Sequence, residues 1–260
     1  MKILAKDKFI SKLDRLTNPP KELYYEGDID LLIMPKVAVV GSRKASVYTK
    51  ECVARLCASL KNHNVCVVSG GALGVDIAAH KAAMPLTIGV FATGLDTFYP
   101  SSNAKFIKEI YDKGLALSEY SPGSPAIGYK FLERNRIVVA LSQALVVAQA
   151  DLKSGSMQSA RLAGELGVPV FVLPQRMGES EGTNMLLAKG KAKLINDFDE
   201  FSSQFGLCLN KTPARNDDIL EFCKDFVSLE KALAKFGDKI YEYELEGLVE
   251  IINLKVKSKI

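Results

Sequence analysis

The chain has 260 residues, 48% of them hydrophobic and 25% charged, which is enough for a sizeable core that needs neither disulfide nor metal to hold it. Lys and Arg outnumber Asp and Glu by 34 to 30; the resulting charge of +4 permits a nucleic-acid partner but falls short of a histone-like binder. Five cysteines without a C-x-x-C pair and two scattered histidines argue against a zinc site, and no apolar run approaches the ~18 residues of a membrane span.

Residues 1–30 carry charges every few positions and lack the apolar core of a secretory signal. They read as a short helical extension broken by "NPP" at 18–20. Together with unpaired cysteines, this points to a cytoplasmic protein. From residue 31 to 207 short β-branched runs alternate with helical patterns. The runs are 37–41, 65–69, 86–93, 115–120, 144–150 and 168–174, with a weaker one at 193–196. Most are apolar without alternation, as strands covered on both faces of a parallel sheet should be. Helices are predicted at 49–60, 77–84, 103–113, 131–142 and 156–166, and this rhythm gives an α/β fold: a Rossmann-like, doubly wound, mostly parallel sheet. Residues 208–216 read as a linker. Residues 217–260 read as a separate winged-helix-like domain of three short helices and a β-ribbon. From residue 210 onward nine basic residues meet ten acidic ones, so the positive excess belongs to the larger part.

In such sheets ligands sit beyond the carboxyl ends of the strands, at the helix N-termini. The loops predicted there are 41–46, 69–76, 93–103, 121–125, 151–159 and 178–184, and nearly all are rich in Gly, Ser and Thr. Backbone N–H groups and hydroxyls at positive helix ends form a cradle suited to phosphate. The first loop, "GSRKAS", puts Arg43 where a dinucleotide fingerprint needs its second glycine, and no Walker lysine follows. NAD and ATP are therefore disfavoured and no cofactor is expected. Ser69 in "VVSGG" lacks the upstream glycine of a nucleophile elbow. His80 follows Asp76 by four residues on one helix face, a spacing at which the two can pair and brace the Ser69–Gly70–Gly71 loop.

The stretch "GYKFLERNRIVVALSQA", 128–144, interleaves Lys130, Arg134 and Arg136 with Asn135 and the aromatic Phe131. Cations for phosphates beside a ring for base stacking suit an unpaired nucleic-acid strand. Lys130 and Phe131 are the contacts this reading favours. Arg134 and Asn135 either touch the strand or order the loops.

"VVGSR", "VVSGGALGVDIAAH", "TIGVFATGLDTFYPSSN", "LSEYSPGSP", "FLERNRIVVALS" and "SGSMQSARLAGELG", with "VFVLPQ" and "EGTNMLLAKGKAKLI", follow one another over about residues 36–196. In this order they resemble the DNA-processing protein A (DprA/Smf) family. The resemblance implies a non-enzymatic protein that binds and protects incoming single-stranded DNA in natural transformation, loads the RecA recombinase onto it, and dimerises through the Rossmann-like domain. It maps phosphate binding to Arg43, a backbone anion loop to Ser69, Gly70 and Gly71, and a cation and base-contacting ring to Lys130 and Phe131. Lys153, Gly155 and Ser156 match the family's rim loop. The chain departs from the pattern in its short N-terminal extension, in Ser101 where a lysine is frequent, and in "LPQ" at 173–175. The rival enzyme class is a nucleotide phosphoribohydrolase of related architecture. It would need a glutamate one turn after a glycine loop, and here Glu165 lies deep in a helix pattern instead.

Overall fold

A computed structural model describes residues 2–4, 11–208, 218–245 and 247–259. The chain divides into two compact units, Met1–Leu209 and Asn210–Ile260. The boundary between them, and the linker read at 208–216, lie almost wholly outside the described residues.

The first unit opens with strands β1 (Lys2–Ile3) and β2 (Tyr24–Gly27), then alternates β3 (Lys36–Val40), α1 (Val47–Asn62), β4 (Cys66–Ser69), α2 (Val75–Ala83), β5 (Thr87–Phe91), α3 (Ala104–Lys113) and β6 (Leu115–Ser118). It continues with α4 (Gly128–Leu141), β7 (Ala144–Val147), α5 (Gly155–Glu165), β8 (Val170–Val172), α6 (Glu181–Ala188), β9 (Lys193–Leu194) and α7 (Phe198–Ser203). The strands form one sheet in the order β1-β2-β6-β5-β4-β3-β7-β8-β9. Every pairing from β6 to β9 is parallel, and β2 runs antiparallel on β6. The predicted doubly wound, mostly parallel sheet is what the chain forms.

The unbroken apolar runs are explained by burial on both faces. Ala38, Val68, Ile88 and Leu145 face a core completed by Ile137 and Leu141 of α4 and Ala160 and Ala163 of α5. Val37, Val39, Val67 and Val146 face the opposite core, closed by Val53, Leu56 and Leu60 of α1 and by Ala79 of α2. Deleting any of these large side chains removes burial and leaves a cavity, at about 2–5 kcal/mol for Leu→Ala.

Three readings of the elements change. Among the described residues of the expected N-terminal helical extension are a 3-10 turn, Ser11–Arg15, and strand β2, which lies between β1 and β6 and whose Tyr24 pairs with Ser118 and Gly27 with Leu115. Four residues, "YYEG", are too few to show a strand period, so their pairing is decided by the open edge of β6. Helix α6 begins inside the expected 178–184 loop, and α7 has no counterpart among the predicted helices.

The second unit contains α8 (Asp218–Phe222), β10 (Val227–Ser228), α9 (Leu229–Phe236), α10 (Lys239–Leu245), β11 (Val249–Ile252) and β12 (Lys255–Ser258). Its three strands pair antiparallel in the order β10-β12-β11 around a small core that includes Ile219, Ala232, Ile240 and Val256.

Candidate nucleic-acid interface

Strand β3 is the switch point of the large sheet. It pairs with β4 on one side and β7 on the other, and the connections leave toward opposite faces: α1 packs on one core and α5 on the other. The loops after β3 and β7 therefore part at the carboxyl edge and leave a crevice. A cavity of about 380 Å³ lies there, lined by Gly41, Ser42 and Arg43, by Gly70, Ala72 and Asp76, by the first turns of α4, and by Ala150, Asp151, Ser154, Gly155, Ser156 and Ser159.

The 69–74 loop forms one wall and is locked from behind. Ser69 Oγ is fully buried and donates to Val39 O at 2.6 Å, so this hydroxyl ties two strands together and does not face the cavity. His80 Nε2–H donates to Gly70 O at 2.7 Å while Nδ1 lies 2.7 Å from the Thr87 hydroxyl. Burial holds this imidazole neutral by pushing its pKa down to about 4, against the pull of the Gly70 hydrogen bond. The loop brace anticipated from Asp76 and His80 exists, but His80 makes it with backbone and Thr87 and not with Asp76. Gly70 itself has no room for a side chain, since a Cβ would strike the Arg134 guanidinium. Gly74 adopts φ +79°, where a Cβ would meet Ser42 and Arg43 backbone; its Cα hydrogens let the first two loops touch.

Helix α4 contributes four of the predicted residues, with different fates. Arg134 is buried; Nη1 donates to Val90 O and Nε donates to Asn135 Oδ1 at 3.2 Å. Its guanidinium lines the cavity beside Asp76. Burial pushes the Asp76 carboxyl up to about 6, opposed by the Arg134 charge and by the Ala72 N–H. Asn135 also lines the cavity. The Phe131 ring forms a half-buried wall, with Tyr99 at 5.5 Å between centroids and the Arg43 guanidinium 5.4 Å above it. Beyond this wall a second, smaller cavity is lined by Gly71, Phe91, Thr93 and Tyr99.

Lys130 is placed differently from the favoured contact. It is buried outside the cavity lining, with Nζ donating to Pro125 O at 3.2 Å and lying 4.6 Å from the Tyr120 ring centroid. Arg136 is spent on Glu119 through two hydrogen bonds of 3.0 and 2.6 Å, and Tyr120 OH donates to Glu133 at 3.0 Å. The carboxylate beside Arg134 is therefore Asp76, and Glu119 and Glu133 have other partners.

On the far side Gly155 and Ser156 open α5, where the first N–H groups have no intrahelical acceptor. Ser154 Oγ takes the N–H of Met157, which leaves those of Gly155 and Ser156 at the cavity. Lys153 stands exposed on the rim, and Arg43 is exposed above Phe131. The crevice thus has cations and N–H donors at its lip and an aromatic wall within. Asp76 and Tyr99 were not assigned to the site from the sequence. "TFYPSSN" carries two adjacent aromatics in a loop expected at this edge, a signal that could have drawn Tyr99 in.

Among the described residues no group of His, Cys, Asp and Glu is placed to hold a metal ion, and no helix is long and apolar enough to cross a membrane. Glu165, the carboxylate of the phosphoribohydrolase reading, ends α5 far along the helix from the cavity-lining Gly155 and Ser156.

Residues 1–206 match the family model described as DNA recombination-mediator protein A. The chain is 40% identical over 198 residues to DNA processing protein DprA of Streptococcus pneumoniae, covering 74% of this chain and 70% of that protein. It is 38% identical over 199 residues to Protein Smf of Escherichia coli, covering 74% of this chain and 53% of that one. It spans about half the length of several other curated relatives. Among solved structures it resembles DNA processing protein A of Helicobacter pylori, described for its single-stranded DNA binding mode, at 46% identity and a TM-score of 0.75 over 78% of this chain and 94% of that one. The S. pneumoniae DprA structure matches at 37% identity and a TM-score of 0.74, covering 79% and 75%.

Proposed function

The chain belongs to the DNA recombination-mediator protein A family, and from that membership and the carboxyl-edge geometry we propose that it binds single-stranded DNA without reacting with it. The single observation that carries this reading is the Phe131 ring standing as a cavity wall beneath the Arg43 guanidinium. A ring offers a stacking face to an exposed base, and a cation one step outward meets the phosphate beside it. The N–H groups of Gly70, Gly71, Gly155 and Ser156 and the side chains of Arg43 and Lys153 supply the anion seat. Lys130 adds positive charge from beneath the 121–127 loop. Arg134, Asn135 and Ser69 hold these groups in register.

The cellular role we infer is the family's: protection of incoming single strands in natural transformation and their delivery to a RecA-type recombinase. We assign the protein to the cytoplasm and expect a homodimer formed through the Rossmann-like domain. The C-terminal unit, with a helix order like that of a winged helix and an acidic balance, is assigned no leading part in DNA affinity. The test is fluorescence anisotropy with labelled single- and double-stranded oligonucleotides of equal length at two salt concentrations. Tighter, salt-sensitive binding of the single strand supports the reading. Equal affinity for the duplex overturns it.

A further inference from the structure

The cavity contains a group at odds with a simple polyanion seat. Asp76 is 6% exposed, yet its side chain helps form the inner lining with Arg134 and Asn135. A buried carboxylate there offsets the positive charge of Arg134 beside it, which weakens the pull on a phosphate, and attracts hydrogen-bond donors. The exposed cation Arg43 and the opening N–H groups of α5 lie toward the lip instead. The exposed cation thus lies outside, and inside an acceptor carboxylate stands beside the buried Arg134 guanidinium. A strand laid across this crevice places its phosphates at the lip and turns a base inward along the Phe131 wall.

The inner groups also have a fixed donor and acceptor pattern. Arg134 Nε donates to Asn135 Oδ1 at 3.2 Å, which commits that oxygen and leaves the Nδ2 amide as donor. Asp76, ionised, offers acceptors only. The lining therefore presents the Arg134 guanidinium and one amide as donors beside a carboxylate acceptor. Guanine carries the matching edge: O6 accepts, and the adjacent N1–H and N2–H donate together to a carboxylate. Thymine offers one N–H between two acceptors, so its second carbonyl would face the carboxylate without a proton between them.

From this juxtaposition we propose that the cavity bounded by Asp76, Asn135 and Phe131 is a subsite for one unpaired guanine, giving the protein a guanine preference within single-stranded DNA. The proposal rests on the single-strand reading above and goes beyond it, since backbone contacts alone carry little base information.

The experiment measures anisotropy of a thymidine oligonucleotide against versions in which one central residue is guanine or inosine, which lacks the N2 amino group. A lone guanine avoids quadruplex formation. The wild-type protein, at a pH well above 6 so that Asp76 is ionised, is expected to bind the guanine strand about fivefold or more tighter than all-thymidine, with inosine between. In Asp76→Asn the guanine-to-thymidine ratio collapses to within about twofold. Equal affinity for guanine, inosine and thymidine strands in the wild type overturns the subsite and leaves the single-strand reading standing. Failure to bind any of the strands overturns that reading itself. The wild-type comparison needs no substitution, so poor folding of a variant does not shield the proposal.

Discussion

Gly70 and Arg134 are coupled in a way that stability measurements can isolate. A Cβ on Gly70 would meet Nη1, Nη2 and Cζ of Arg134, while Gly70 itself does not occupy the left-handed region. The backbone thus tolerates alanine, and the guanidinium alone opposes it. In Gly70→Ala the arginine must leave Val90 O, and a lost charged hydrogen bond costs about 1.5–3 kcal/mol. Overpacking adds to this, so about 2–4 kcal/mol of destabilisation is expected. In an Arg134→Ala background the methyl enters vacated space, and Gly→Ala becomes neutral or stabilises by about 0.4–1 kcal/mol through the unfolded chain. The four proteins of the cycle are unfolded in urea and followed by circular dichroism, giving an expected coupling of about 2–5 kcal/mol. Working below pH 6, where Asp76 is protonated, spares the Arg134→Ala proteins an uncompensated buried charge. If Gly70→Ala costs the same in both backgrounds, the guanidinium does not hold the loop and the account of this wall is wrong.

Phe131→Ala should weaken single-strand binding about 5- to 150-fold by anisotropy, the equivalent of one lost base stack, while the circular dichroism spectrum is unchanged. An unaltered Kd in the folded protein would assign the ring to packing alone. Arg43→Ala should weaken all sequences alike and reduce the slope of log affinity against log salt by about 0.7, one phosphate neutralised; an unchanged slope removes Arg43 from the contacts. Stability against pH carries a compensation. His80, lowered to about 4, contributes stability that is full above its unfolded value of 6.5 and is lost as pH falls through 4. Asp76, raised to about 6, contributes stability that is full below its unfolded value of 3.8 and is lost as pH rises through 6. The two offset each other between about pH 4 and 6, so Asp76→Asn should lose stability across that window more steeply than wild type in urea midpoints. Parallel profiles would contradict this assignment.

The large sheet was legible because its strands are buried on both faces: "VAVV" and "ALVV" leave no polar alternation, and few folds bury such runs. The antiparallel strand β2 was not, since four residues carry no period of their own. The cavity was legible in outline from the loops around Arg43, Gly70 and Gly155, which the topology sends to one edge. What the sequence left open was which charges would be spent. Lys130, Arg134 and Arg136 sit within seven residues on one helix. Their fates differ because Pro125 O, Val90 O and Glu119 reach them from other parts of the chain. Local pattern names the cations; only packing shows which are consumed. The same limit applied to Asp76 and His80, whose i, i+4 spacing permits a pair that Thr87 and Gly70 intercept.

The central claim is that the carboxyl edge of this sheet, at the β3–β7 crevice, seats an unpaired strand. Photo-crosslinking tests it most directly, using an oligonucleotide with iododeoxyuridine in place of thymidine and mapping the modified peptides by mass spectrometry. The account predicts crosslinks on peptides carrying Tyr99 and Phe131, lost in Phe131→Ala. Crosslinks confined to residues 218–259, or to the loops at the amino ends of the strands, would contradict it.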